Sequence, residues 1–273
     1  MPADASFSHD RDLDSLLIAL ADGTRAALGE KFVGIYLHGS FGVGDFDAHS
    51  DVDFLVAVGQ PLSWEDLTAL AALHLQLHAG PAPWAKRLDG SYVPLPILRE
   101  HDPCCTKLPY LDVGTRALVA SDHCNQAVTR WMVRERGIPL AGPDPRELID
   151  PVPTPLLRKQ AVHHMRLWAD EIAAQPGAMD NRWYQPYAVL SYCRMLYTIE
   201  RGDVVSKPVA ARWALSTLSG EWSGLVERAL GTREDPAGRV RRKADPGDLA
   251  LTHRFIQAVL RRATASADAM PAR

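Results

Sequence analysis

The stretch LHGSFGVGDFDAHSDVDFLVAV, residues 37–58, combines a Gly-Ser pair with two aspartates at the start of an apolar run. Side chains alternate between the two faces of a strand, so Asp51 and Asp53 point one way while Val52 and Phe54 point the other. Two carboxylates on one face repel each other unless a positive charge lies between them. Magnesium suits this position because it binds carboxylate oxygens together with substrate phosphate oxygens. The pattern predicts a metal site at the start of a buried strand.

The Gly-Ser pair, Gly39 and Ser40, directly follows FVGIYL, an apolar run that predicts a short buried strand. A small residue lets backbone N–H groups approach an anion closely, and the serine hydroxyl adds a donor. We expect both residues to bind a phosphate near the metal, together with Ser50, which precedes the acids. Each dipeptide pattern alone is common in turns. Two apolar strands with a ten-residue spacer between Ser40 and Asp51 make the combination specific.

The composition is that of a folded protein long enough for two domains, with 273 residues, 47% apolar and 23% charged. A net charge of -3 provides no general attraction to nucleic acid or to anionic membranes. The four cysteines show no zinc-ligand spacing and no disulfide framework. The first residues are polar and acidic, and no apolar run reaches transmembrane length, so we expect a cytoplasmic protein.

The first half of the chain reads as helix, strand, strand, helix, and the second half as helices alone. DLDSLLIALADGTRAALGEKF predicts the first helix, and Ser63 with Asp66 forms a capping box at the start of another. SYVPLPIL contains Pro94 and Pro96, which favour an edge strand or an extended segment. The proline-rich stretch GIPLAGPDPRELIDPVPTP predicts a domain boundary at about residue 150. We therefore predict an α+β domain, residues 1–150, followed by an all-α bundle, residues 151–273.

The stretch GSFGVGDFDAHSDVDFLV resembles the Gly-Ser, spacer, Asp-x-Asp signature of the polymerase-β-like nucleotidyltransferases. Three later segments are similar to the streptomycin 3''-type aminoglycoside adenylyltransferases, which have a helical C-terminal domain; they are RERGIPLAGPDPRELIDPVP, VLSYCRMLYTIERGDVVSKPVAARWAL and LVERALG. The resemblance implies a nucleotidyltransferase domain with a small mixed sheet flanked by helices. It also implies transfer of AMP from ATP to a substrate hydroxyl, with two magnesium ions and with pyrophosphate as the leaving group.

The resemblance implies roles for three further residues. Asp89 matches a third carboxylate that binds metal or activates the hydroxyl, although Asp-Gly is also a common turn signal. Arg194 and Lys207 match basic residues that reach the nucleotide phosphates from the helical domain. Arg194 could instead pair with an acid or extend to the rim, and Lys207 could be an exposed lysine in the first turn of a helix. The predicted catalytic and metal-binding residues are therefore Asp51, Asp53 and Asp89.

The acceptor is the least determined part of the prediction. A polycationic aminoglycoside calls for carboxylates and aromatic faces, but NRWYQPY places Trp183, Tyr184 and Gln185 where acids would be expected. Two alternatives stay open, namely a different hydroxyl-bearing acceptor such as a protein, tRNA or metabolite, and a nucleotide-binding regulator without catalysis. We expect a small-molecule acceptor, no membrane or nucleic-acid partner, and a monomer or weak dimer.

Overall fold

The computed structural model describes residues 10–46, 50–102, 104–232 and 242–268. The chain divides into two compact units, residues 1–152 and 153–273. The assignment of these units as a nucleotidyltransferase domain and a helical C-terminal domain, with a boundary at about residue 150, stays a prediction. Among the described helices, none is long and apolar enough to cross a membrane.

The first unit is built around a six-stranded mixed sheet with strand order β5-β4-β3-β2-β1-β6. Its strands are β1 (Phe32–Leu37), β2 (Val52–Val58), β3 (Leu88–Pro94), β4 (Leu108–Leu111), β5 (Leu118–Ser121) and β6 (Ile138–Ala141). Its helices are α1 (Arg11–Leu28), α2 (Gly39–Gly42), α3 (Trp64–Ala79), α4 (Leu95–Arg99), α5 (Ala127–Arg136) and α6 (Pro145–Leu148). Among the described strands, the β2–β3 pair is parallel and the other neighbours are antiparallel.

Local sequence signals account for the ends of the first helices and strands. Asp10 caps α1, accepting the backbone N–H groups of Asp12 and Leu13. Ser63 and Asp66 form the expected capping box at the start of α3. Both predicted apolar strands are present, and β1 and β2 coincide with the runs FVGIYL and VDFLVAV. Together with the helical second unit, the mixed sheet confirms the predicted α+β fold.

The prediction of an edge strand at SYVPLPIL was wrong. Strand β3 lies inside the sheet, between β2 and β4. Its proline is tolerated because Pro94 is the last residue of the strand, opposite Val58 at the end of β2. Pro96 lies in the first turn of α4, where a missing N–H leaves no hydrogen bond unmade.

The second unit is helical, as predicted. Its described helices are α7 (Thr154–Ala174), α8 (Tyr184–Arg201), α9 (Lys207–Thr217), α10 (Ser223–Gly231) and α11 (Pro246–Asp268). Helix α8 is the most buried of them, and it packs against α7, α9, α10 and α11. Arg262 on α11 donates to both carboxylate oxygens of Glu200 on α8, at 2.7 and 3.0 Å, and to the Thr217 carbonyl at the end of α9. This ion pair joins three helices of the bundle.

Candidate active site

Two of the three predicted acids lie side by side in the sheet. Asp53 in β2 and Asp89 in β3 are direct partners in the parallel register, and both are half-buried. Neighbouring strands lie about 4.8 Å apart, and directly paired residues project to the same face. Asp51, immediately before β2, is exposed. The structure therefore places Asp89 on a strand beside Asp53 and not in a surface turn.

The electrostatics of this pair favour a bound cation. Burial raises the pKa of Asp89 to about 8, with the negative charge of Asp53 as the next cause. Asp51 and Asp112 act in the same direction, and a hydrogen bond from Tyr110 opposes them. A cation between the carboxylates would remove the repulsion and favour the ionised form of Asp89.

Gly39 contacts Asp53 so closely that no side chain fits. Its φ of 59° lies in the left-handed region, and a Cβ added there would be 2.5 Å from the Cγ of Asp53. Glycine is needed here for both reasons. Ser40, the next residue, has a buried Oγ that makes no hydrogen bond to any residue in the described part of the chain. Gly39 thus lies against Asp53, and the hydroxyl of the adjoining Ser40 is the kind of donor that a phosphate oxygen requires.

The segment that follows α2 turns back on this short helix. The N–H of Asp45 donates to the carbonyl of Ser40 at 3.0 Å, and the rings of Phe41 and Phe46 stack with centroids 4.3 Å apart. Residues 47–49 of the spacer lie outside the described residues. Ser50 is buried directly before the acids.

His38 is a site residue that sequence reasoning missed. Its backbone N–H donates to the carbonyl of Asp53 at 3.0 Å, so it links the ends of β1 and β2. The ring is 8% exposed, and burial lowers its pKa despite the opposing charge of Asp53. Among the residues that the structure describes, none forms a hydrogen bond with its Nε2. The position of His38 immediately before the Gly-Ser pair was the feature of the sequence that could have indicated a place in the site.

A second group of missed residues lies beside Asp89. The hydroxyl of Tyr110 on β4 is 3.1 Å from Oδ2 of Asp89 and 3.3 Å from Oδ1 of Asp112. The Tyr110 ring packs against His123, with centroids 5.1 Å apart. Burial, followed by the charges of Asp89 and Asp53, raises the pKa of Cys124, so its thiol stays protonated. Strand alternation in LPYLD, which puts Tyr110 and Asp112 on one face, was the sequence signal.

The fit of magnesium to this site rests on the charge and position of the acids. Within the described ranges, no group of three or more histidine, cysteine or acidic side chains is already arranged around a metal position. Asp53 and Asp89 nevertheless present paired oxygen ligands whose mutual repulsion a hard cation relieves. Asp51 lies close enough to act on the charge of Asp89. The residues therefore fit magnesium, and the number of ions stays a prediction.

The two basic residues predicted to bind phosphate lie in the second unit. Arg194 is half-buried on α8. Lys207 begins α9, and its ammonium lies 4.3 Å from the centroid of the Tyr187 ring, a cation–π contact. Tyr187 in turn stacks on Trp183 with centroids 5.0 Å apart. The phosphate-binding roles of Arg194, Lys207 and Ser50 stay predictions.

Comparison with protein families supports the resemblance seen in the motifs. Residues 147–258 match the family model described as "Aminoglycoside adenylyltransferase, C-terminal domain". An aminoglycoside (3'') (9) adenylyltransferase from Escherichia coli is 26% identical over 224 residues, covering 76% of this chain and 81% of the relative. A spectinomycin 9-adenylyltransferase from Campylobacter jejuni is 24% identical over 231 residues, covering 78% of this chain and 84% of the relative.

A solved structure supports the fold. The spectinomycin adenyltransferase from Enterococcus faecialis, crystallised with ATP and spectinomycin, superimposes with a TM-score of 0.68. The match covers 91% of this chain and 99% of that chain, at 16% sequence identity. At this level of identity, the similarity extends to the arrangement of helices and strands.

Proposed function

We propose that the chain, as a member of the aminoglycoside adenylyltransferase family, transfers AMP from ATP to a hydroxyl group of an aminoglycoside, releasing pyrophosphate. The observation that carries the proposal is the in-register pairing of Asp53 with Asp89, against which Gly39 packs without room for a side chain. Such a pair is costly without a cation, and phosphoryl transfer is the chemistry that uses one.

The proposed reaction is an in-line displacement at the α-phosphorus of ATP. The acceptor oxygen forms a bond to this phosphorus while the bond to the oxygen bridging the α- and β-phosphorus atoms breaks. Pyrophosphate leaves with the electron pair of the broken bond. Asp89 receives the proton of the acceptor hydroxyl, or binds metal as a third ligand.

The residues of the first unit have distinct roles in this proposal. Asp51, Asp53 and Asp89 would hold the two predicted magnesium ions, which supply charge neutralisation at the phosphates and at the attacking and leaving oxygens. The backbone of Gly39 and the hydroxyl of Ser40 orient a phosphate group beside the acids. Ser50 adds a second polar group at the start of β2.

Two basic residues of the second unit have proposed roles in nucleotide binding. Arg194 and Lys207 neutralise triphosphate charge, for which guanidinium and ammonium groups are suited. Lys207 already contacts an aromatic ring, so binding to phosphate would exchange its cation–π contact for a charge-assisted hydrogen bond. The cytoplasmic location and the monomeric or weakly dimeric state stay predictions.

The acceptor class in this proposal follows from the relatives, an aminoglycoside (3'') (9) adenylyltransferase and a spectinomycin 9-adenylyltransferase. One observation keeps a different hydroxyl-bearing acceptor in consideration. Trp168, Trp183, Tyr184 and Tyr187 form a cluster of half-buried aromatic rings where a polycation would call for acids. An acceptor with fewer positive charges and more apolar ring surface suits this cluster better.

The test is pyrophosphate release from ATP and magnesium in the presence of streptomycin, spectinomycin and other aminoglycosides, compared with Asp53→Asn. Release with one drug, accompanied by a product carrying one AMP and absent in the variant, would establish the reaction and the acceptor. ATP binding without release across the panel would refute an aminoglycoside acceptor. A wider acceptor screen with labelled ATP would then separate another transferase from a regulator, because only a transferase labels a product.

A further inference from the structure

Tyr110 is placed between two carboxylates at the edge of the candidate site. Strand β4 runs antiparallel to β3, with Tyr110 opposite Ser91. The side chain is 6% exposed, and its hydroxyl lies 3.1 Å from Asp89 and 3.3 Å from Asp112. Its ring is held by the contact with His123. The phenol is therefore fixed at both its ring and its hydroxyl.

A phenol carries one hydrogen, so it makes a full hydrogen bond to one of these carboxylates at a time. Asp112 is exposed and can be solvated by water. Asp89 is half-buried, and burial makes an unpaired carboxylate costly. The hydrogen bond to Asp89 therefore stabilises the folded protein more than the hydrogen bond to Asp112 does. It engages Oδ2 and leaves Oδ1 for the metal or the acceptor hydroxyl.

We propose that Tyr110 is a positioning residue for the reaction: its hydroxyl fixes the orientation of the Asp89 carboxylate, and Asp112 competes for the same hydrogen. The proposal rests on the proposed adenylyl transfer. A base or ligand that is misplaced by about 1 Å can lose on the order of a hundredfold in rate. Tyr110 therefore acts on the rate of transfer through Asp89, without itself binding ATP.

Two substitutions with opposite expected effects test this assignment. Tyr110→Phe keeps the ring against His123 and removes only the hydroxyl. Asp112→Asn replaces the competing acceptor, and its amide can donate to the phenol oxygen, which directs the phenol hydrogen to Asp89. Tyr36→Phe is the matched control, because Tyr36 is buried in the same sheet and donates to the carbonyl of Pro143 at 3.0 Å, outside the site.

The kinetic expectations are specific for each variant. Tyr110→Phe should lower kcat about tenfold or more while the KM for ATP stays within about twofold, because the loss lies in orientation and not in binding. Asp112→Asn should keep or raise kcat. Tyr36→Phe should lower the melting temperature without a selective change in kcat. A kcat for Tyr110→Phe within twofold of the wild type would overturn the proposal, as would a tenfold loss in Asp112→Asn.

A spectroscopic measurement makes the result independent of turnover. In protein labelled with ¹³C at the aspartate carboxyl carbons, the Asp89 resonance is identified by its loss in Asp89→Asn. It should shift in Tyr110→Phe and stay in place in Tyr36→Phe. An unmoved resonance in Tyr110→Phe overturns the positioning role. A shifted resonance in an enzyme without turnover on any acceptor supports the contact and refutes the proposed function instead.

Discussion

Replacing Gly39 by alanine should inactivate the enzyme, because this position combines a left-handed backbone with direct contact to an acid. The φ of 59° disfavours any residue with a Cβ, at a cost of about 1–2 kcal/mol. The added Cβ would also lie 2.5 Å from Cγ and 3.0 Å from Cβ of Asp53, so the carboxylate has to move.

The size of the effect follows from that displacement. Ordinary van der Waals contact between carbon atoms requires about 3.5–4.0 Å, so relief of the clash moves the Asp53 carboxylate by roughly 1 Å. A misplacement of this size costs on the order of a hundredfold in rate. We therefore expect kcat of Gly39→Ala to fall about a hundredfold or more, with a free energy of unfolding lowered by more than the backbone strain alone.

Gly44→Ala is the matched control, because Gly44 also has a left-handed φ of 68° but no atom of residues 10–46, 50–102, 104–232 or 242–268 lies within 4 Å of a Cβ there. It should show only the strain, about 1–2 kcal/mol in urea denaturation, and retain most of the activity. The assay is pyrophosphate release at saturating ATP, beside denaturation curves for both variants. Equal activity losses in the two variants, or near wild-type activity in Gly39→Ala, would refute the contact argument.

Three further predictions concern titratable groups of the same unit. Asp53→Asn should reduce turnover below about 1% of the wild type while the melting temperature is retained, since a neutral amide cannot replace a charged metal ligand; substantial residual activity would contradict the metal assignment. Asp89→Asn should stabilise the metal-free protein at pH 7–8 by roughly 1–3 kcal/mol. The reason is that a carboxyl whose folded-state pKa is raised from 3.8 to about 8 opposes folding increasingly as pH rises through that interval. Thermal melts without divalent ions measure this effect, and a lower melting temperature of the variant would contradict it. His74 contacts the Tyr92 hydroxyl at 2.7 Å, and burial lowers its pKa from 6.5 to about 4. Between these two pH values the unfolded state binds more protons than the folded state. The free energy of unfolding should therefore fall by about 3 kcal/mol as pH drops from 6.5 to 4. His74→Gln should remove this part of the pH dependence in denaturation curves, and an unchanged slope would refute the assignment.

The predictions that succeeded depend on short-range patterns. Strands β1 and β2 could be predicted because continuous apolar residues between turn signals are typical of buried strands. The capping box of Ser63 and Asp66 could be predicted because the first backbone N–H groups of a helix need hydrogen-bond partners, and both partners lie within three residues of each other in the sequence. The Gly39–Ser40 pair and the two aspartates could be identified because their spacing is local, and their roles in binding phosphate and metal stay predictions.

The error at SYVPLPIL shows where local patterns stop. Two prolines argued against an interior strand, yet Pro94 occupies its last position and Pro96 begins a helix. Whether a proline interrupts a ladder depends on where pairing ends. That is determined by the neighbouring strands, and no local residue pattern records it.

By itself, the sequence determined helices α1 and α3, strands β1 and β2, the helical second half, the glycine and serine at the end of β1, and the acid pair at the start of β2. The tertiary structure alone decided that Asp89 lies beside Asp53, that Gly39 contacts that acid, and that Tyr110 reaches Asp89 from a third strand. The physical reason is sheet register. Residues far apart in the chain become neighbours through backbone hydrogen bonds that any residue except proline can make, so their identities carry no record of the pairing.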